Sequence, residues 1–235
     1  GIVDELLGTG GSAYPERQAE RREHDDAGRY DDAAEHWTTA DRSELIAIRA
    51  LAQGKTAQEA VQSIGRTTLN FWTSSTMSAA FNRVLDRRIE DRTVDRLLEG
   101  DLAFLHGKRA VFDVTAEELA SGRLEARLAN MEISPSGPLW GHGVKEASGE
   151  VADIEKEALA ATSLSVEQVA DTAPYRPDGG RRPLRSPIRN VEVEGGFDEH
   201  GTYIQVAFDL PRGMYATIAL REILKDQGDA GSDAD

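Results

Sequence analysis

The chain has 235 residues, 39% of them hydrophobic, and a formal net charge of −15. It contains no cysteine, which excludes disulfides, thiolate metal centres and cysteine nucleophiles in one step. No apolar run approaches the roughly 20 residues that cross a bilayer, and Gly1 to Leu7 lacks the basic start and apolar stretch of a signal peptide, so a soluble, cytoplasmic protein with no membrane partner is expected.

Acidic residues outnumber Lys and Arg by 42 to 27 and are spread along the chain. That balance repels nucleic acid unless basic residues gather on one face, and it suits a high-salt cytoplasm. Residues 1–40 form a polar N-terminal segment, and the stretch from Gly8 to Asp41 reads as short, loosely packed helices. Within it His24, Asp25, Asp26, Asp31, Asp32 and His36 read as a solvated face rather than a divalent-metal site.

Asp41 with Glu44, and Thr56 with Glu59, have the spacing of capping boxes, and Gly54 and Gly65 stand where C-terminal caps belong. These marks predict helices over Arg42 to Gln53 and Ala57 to Ile64. A long helix follows between Thr68 and Asp91, where Met77, Phe81, Val84, Leu85 and Ile89 form a core-facing stripe. Leu102 to Leu105 and Ala110 to Val114 are short apolar runs around His106-Gly107-Lys108, the pattern of a hairpin. Thr115 with Glu118 opens another short helix.

Ser134-Pro-Ser-Gly-Pro-Leu-Trp-Gly-His-Gly143 is too rich in Pro and Gly for regular structure, and Trp140 is expected to anchor it on the core. Helical patterns resume over Glu150 to Ala161 and Val166 to Ala170. Ile204, Val206, Phe208 and Leu210 then alternate with polar or small residues, the pattern of a strand with one buried face, which pairs with Asn190 to Glu194 across a Gly195 to Gly201 turn. A last helix, Met214 to Lys225, is expected to pack on that hairpin. Residues 227–235 form an acidic tail with no packing residues, expected to be disordered.

Three stretches, in order, resemble the TruD family of tRNA pseudouridine synthases. The first is Asn70-Phe-Trp-Thr-Ser-Ser-Thr-Met-Ser-Ala-Ala-Phe-Asn-Arg83, similar to the family's serine- and alanine-rich helix ending in Phe-Asn. The second runs from Gly100-Asp-Leu through Phe112 and Thr115 to Ser136-Gly-Pro-Leu-Trp-Gly141. The third, Leu210-Pro-Arg-Gly-Met-Tyr-Ala-Thr-Ile-Ala-Leu-Arg-Glu222, is similar to the family's closing Leu-Pro-x-Gly-Ser-Tyr-Ala-Thr pattern, with Met214 in place of the serine.

The resemblance implies an α+β fold: a helix-rich inserted domain with a small hairpin at 41–185, then, at 186–226, a strand-helix unit belonging to a mixed pseudouridine-synthase sheet. It implies uridine-to-pseudouridine isomerisation in RNA, most naturally tRNA, without metal or redox cofactor. The chemistry needs a carboxylate at the ribose in a dry pocket, a flipped base held between apolar surfaces, and cations on the phosphates. Arg181, Arg182, Arg185 and Arg189 form the densest basic run, and with Arg212 they are the expected RNA contacts, the alternative for the run being ion pairs with carboxylates of the chain itself. Leu210 and Tyr215 are pocket-wall residues by resemblance, with plain core packing as the alternative.

The family's catalytic aspartate lies in a Gly-x-Lys-Asp pattern, whereas Gly54-Lys55 and Gly107-Lys108 are followed by Thr56 and Arg109. Its Asn-Tyr-Phe-Gly stretch is also missing. The expectation is a fragment that is inactive alone, with the missing N-terminal half of the synthase as a partner. Asp101 and Asp209 are the conceivable replacement nucleophiles, but Asp101 reads as a turn cap and Asp209 as solvent-facing. His106, His142 and His200 have no metal-ligand spacing. The alternatives are a non-catalytic RNA- or partner-binding module derived from the family and an unrelated acidic helical scaffold.

Overall fold

A computed structural model describes residues 23–24, 27–36, 42–170, 177–211 and 213–224. The chain is α+β and forms two compact units, Gly1–Ala79 with Asp171–Pro177, and Ala80–Ala170 with Asp178–Asp235. The proposed cap Asp41, most of the polar N-terminal segment and the acidic tail lie outside the described residues.

The first unit contains helices α1 (Tyr30–Glu35), α2 (Arg42–Ala52), α3 (Ala57–Ser63) and the start of α4 (Arg66–Glu90). Helix α3 begins as its sequence predicts: Glu59 N–H donates to Thr56 Oγ1 at 3.3 Å, and Thr56 N–H donates to Glu59 Oε2 at 2.8 Å. Gly54 ends the preceding turn at φ +78°, a region that costs a Cβ-bearing residue about 1–2 kcal/mol. Apolar faces then close on each other, Ala33 on Ile48, and Ala47 on Ile64 and Leu69.

The second unit is built on a four-stranded antiparallel sheet in the order β2-β1-β3-β4, from β1 (Leu102–Leu105), β2 (Ala110–Asp113), β3 (Ile133–Leu139) and β4 (Gly180–Pro183). Helices α5 (Ala116–Ala120), α6 (Arg123–Ala129), α7 (Gly149–Ala160) and α8 (Val166–Ala170) complete it. The Thr115–Glu118 capping box forms at the start of α5. One core cluster gathers Leu97, Ala103, Val114, Leu124 and Ile133, and another Phe81, Val84, Ala158 and Leu184.

Strand β3 corrects the reading of Ser134 to Gly143 as irregular, as far as Leu139, while residues 140–143 lie outside any named strand or helix as expected. Residues 133–138 are buried, and the strand pairs with β1 through Ile133–Pro135 and with β4 through Ser136–Leu139. Its composition is compatible with pairing because other groups serve the ladder: the Pro135 carbonyl accepts from Leu184 N–H at 2.9 Å, and Ser136 Oγ donates to the Leu102 carbonyl at 2.5 Å. Gly137 is required by close packing, since a Cβ there would stand 3.0 Å from Phe81 Cδ2 and 3.2 Å from Leu184 Cδ2.

The long helix also differs in detail. Met77, Phe81 and Val84 are buried and Leu85 is half-buried, but Ile89 is 53% exposed and Arg88 takes the core position instead. The inward face follows i, i+4, i+7, i+11 from Met77, and Arg88 falls on it.

Strands β5 (Arg189–Asp198) and β6 (Gly201–Asp209) form a separate antiparallel pair, as the alternation predicts. The turn is narrower than Gly195 to Gly201, because pairing continues from Gly195 opposite Ile204 to Asp198 opposite Gly201. Gly196 is a strand residue that lies against the Tyr203 ring, where a Cβ would collide. The expected buried face is not buried: Ile204 is 76% exposed, while Val206 and Phe208 are half-buried. Helix α9 (Ala216–Leu224) starts two residues after Met214, and Ile218 and Ile223 stay exposed rather than packing on the hairpin.

Candidate functional site

Asp101 is fully buried, and it is committed to structure. Arg88, equally buried, donates to Asp101 Oδ1 at 2.9 Å and to Oδ2 at 3.0 Å, while Oδ2 also accepts from Leu98 N–H at 2.7 Å. The remaining guanidinium donors reach the Thr93 and Arg96 carbonyls. The expected turn cap is therefore present, with a buried ion pair added to it. Gly100, at φ +87°, brings its backbone so near Ser148 that any Cβ would strike the Ser148 carbonyl. The Gly-Asp pair thus fastens the start of β1 to both α4 and the entry of α7.

A second interior pair involves the basic run. Arg181 Nη1 and Nη2 donate to Glu155 Oε2 and Oε1 at 2.8 and 2.6 Å, and the two side chains are 3% and 1% exposed. Arg181 also donates to the Ser136 carbonyl at 2.6 Å. Burial raises the Glu155 carboxyl above its ordinary range, against the opposing pull of Arg181. Arg181 is turned inward, and its donors are occupied.

The neighbouring arginines differ. Arg182 lies over the Phe81 ring at 4.9 Å and donates to the Gly213 carbonyl at 3.2 Å. Arg185 lines an open groove of about 740 Å³ with Leu85, Val94, Met131, Leu184 and Pro187. Arg189 is exposed at the start of β5, opposite Asp209, whose carboxylate accepts from Asn190 Nδ2 at 2.6 Å instead. Arg212 lies outside the described residues. Asp209 is exposed, as expected.

Leu210 is half-buried and Tyr215 is 69% exposed, on either side of a turn in which Met214 N–H donates to the Pro211 carbonyl at 3.1 Å. Trp140 is buried, as expected for a loop anchor. His24 and His36 stack with ring centroids 5.0 Å apart, Arg29 Nε donates to His24 Nδ1 at 3.3 Å, and Asp25 and Asp26 lie outside the described residues. Among the described residues no three potential ligands converge on a metal position. No described helix is long and apolar enough to cross a membrane.

The Arg181–Glu155 pair is the internal ion pairing that competes with RNA contact for this run, whereas the Arg88–Asp101 pair was not anticipated from sequence. A signal for the latter existed: Arg88 sits at core spacing from Phe81 and Val84, and an arginine there requires a buried counter-charge.

The family model described as tRNA pseudouridine synthase D (TruD) matches residues 1–223. The chain is 36% identical over 171 residues to the tRNA pseudouridine synthase D of Geobacter sulfurreducens, covering 73% of this chain and 40% of the relative. It is 31% identical over 226 residues to that of Geotalea daltonii, covering 96% and 54%, and 40% identical over 159 residues to that of Xanthomonas axonopodis pv. citri, covering 67% and 41%. A crystal structure from Methanosarcina mazei assigned to the same name superposes with a TM-score of 0.74 at 22% identity, over 95% of this chain and 53% of that one, a likeness of fold. The chain spans about half the length, or less, of these relatives. With the Gly-Asp pair, the Ser136 to Gly141 segment and the Leu210 to Glu222 unit all placed in one fold, the chain belongs to the TruD family of tRNA pseudouridine synthases.

Proposed function

We propose that this chain supplies the inserted domain, at 41–185, and the closing strand-helix unit, at 186–226, of an enzyme that converts uridine to pseudouridine in tRNA. It does so together with a segment that brings the Gly-x-Lys-Asp aspartate. The observation that carries the proposal is the exposed apolar surface of the closing unit. Val193 is 65% exposed, Phe197 80%, Ile204 76% and Ile223 53%, all on a two-stranded hairpin and a single helix. A lone hairpin is marginal in water, and contiguous exposed apolar surface marks a docking face. The relatives carry roughly as many further residues, enough to supply the remaining strands of the sheet. The end of the four-stranded sheet at Pro183 and the start of the separate hairpin at Arg189 support the boundary near 186.

In this reading the docked segment provides the carboxylate that acts at the ribose, and the flipped uracil rests against Leu210 and Tyr215. Arg185 and Arg189 hold the flanking phosphates. No residue of this chain is assigned the covalent step. Asp101 is held by Arg88, and Asp209 lies on an open strand edge.

The test is complementation. The purified chain is incubated with unmodified tRNA, alone and with the Gly-x-Lys-Asp-bearing half of a relative, and pseudouridine is assayed chemically. The expected outcome is product only from the mixture. Product from the chain alone would mean a nucleophile within it, with Asp209→Asn the first replacement to make. A mixture that assembles and binds tRNA without forming product would favour the non-catalytic RNA-binding module.

A further inference from the structure

We infer that Arg185, Arg189 and the β1–β2 turn, through His106, Lys108 and Arg109, form a binding site for the phosphodiester backbone of an RNA strand. The inference rests on the RNA substrate proposed above and assigns its backbone to one face of the second unit.

The geometry comes from strand register. Ser136 pairs with Pro183, and the Leu184 N–H donates to the Pro135 carbonyl at 2.9 Å, so Arg185 continues alongside β3 at the level of Ser134. On the other side of β3, Phe104 pairs with Ser134, and His106 follows two residues on. His106 is fixed there twice: its N–H donates to the Glu132 carbonyl at 3.1 Å, and its Nε2 lies 2.9 Å from Ser134 Oγ. Strand β3 therefore carries Arg185 on one flank and His106 on the other. Lys108 and Arg109 are exposed in the same turn as His106.

The electrostatics are inverted relative to the rest of the chain. Carboxylates exceed cations by 42 to 27 overall, yet the two charges that act on His106 are Arg189 and Arg185. Two carboxylates beside this face are engaged elsewhere, and Glu222 shares the groove that Arg185 lines. Glu132 lies 3.5 Å from Arg127, and Asp209, opposite Arg189, accepts from Asn190. Among the described residues no ion pair or hydrogen bond engages the side chains of Arg185, Arg189, Lys108 or Arg109. Arg181 and Arg182, by contrast, already have partners. Unpaired guanidinium groups beside a neutral imidazole, in a molecule that otherwise repels polyanions, are suited to a phosphate. Burial, then Arg189 and Arg185, hold the imidazole below its ordinary pKa, so the ring is neutral near pH 7 until an anion offsets those charges.

The experiment measures unmodified tRNA binding to the full chain over a salt series, for the wild type, for R185A/R189A, for K108A/R109A, and for R42A/R49A, which removes the same charge from α2. Both site variants should weaken binding by on the order of tenfold at low salt and reduce the slope of log K against log salt by about one per contact removed, with R42A/R49A close to wild type. Equal losses in all three variants would overturn the site while leaving the RNA reading intact. A wild-type chain that binds no tRNA at any salt would overturn both. The His106 ring, followed by NMR, gives a second readout: its pKa should rise when tRNA binds, and an unchanged value with tRNA bound would also overturn the site.

Discussion

Replacing Asp101 with alanine tests whether the buried ion pair, rather than any chemistry, explains the Gly-Asp pair. The substitution leaves the Arg88 guanidinium 1% exposed, with its Thr93 and Arg96 carbonyl partners but no counter-charge, and it orphans the Leu98 N–H. Breaking a buried pair from one side costs about 3–5 kcal/mol. With a urea m-value of about 2 kcal/mol per molar, the unfolding midpoint of the second unit should fall by about 2 M. Asp101→Asn keeps an acceptor for Leu98 and loses only the charge, so it should cost less. The double replacement Arg88→Met with Asp101→Ala removes the stranded charge and should recover much of the loss. Urea unfolding followed through Trp140, in a background with Trp37 and Trp72 changed to phenylalanine, reports on this unit, where Trp140 is buried. An Asp101→Ala cost below about 1 kcal/mol, or an Asn variant worse than the Ala variant, would refute the reasoning.

Arg181→Ala strands Glu155 in the same way and should destabilise the second unit by about 3–5 kcal/mol, read by urea unfolding, while tRNA affinity of the folded protein stays unchanged. Gly100→Ala combines a positive φ with a collision at the Ser148 carbonyl and should cost about 3 kcal/mol in the same assay. His106 has a folded pKa below its ordinary 6.5, so its contribution to stability is complete above that value and is lost as pH falls through the lowered one. His106→Asn should accordingly flatten the decline in stability as pH falls below 6.5, measured by urea midpoints over a pH series. Thr56→Ala removes the cap of α3 and should cost about 1 kcal/mol, seen as faster amide exchange in that helix.

Much of the secondary structure was written locally. The capping boxes at Thr56 and Thr115, the positive-φ Gly54, and the alternation that pairs β5 with β6 are decided by neighbours within a few residues, and they form as expected. Family membership was equally legible, because its motifs are linear. The segments that misled are those in which distant partners overrule composition. Pro135 and Gly137 belong to a strand because Leu184 donates to the Pro135 carbonyl and Phe81 packs over Gly137, contacts that no window of sequence displays.

The candidate site divides along the same line. That the chain carries a basic run at Arg181 to Arg189, and no Gly-x-Lys-Asp aspartate, is a property of the sequence alone. Which arginines face solvent is not. In a strand, adjacent side chains point to opposite faces, so Arg181 and Arg182 were bound to separate. Only the arrival of α7 with Glu155 selects Arg181 as the buried one. Charge in an interior is permitted only where a partner from another element meets it, and that meeting is decided by tertiary structure. Arg185 with His106, and Arg88 with Asp101, are neighbours for that reason: strand pairing and helix packing bring together residues far apart in the chain.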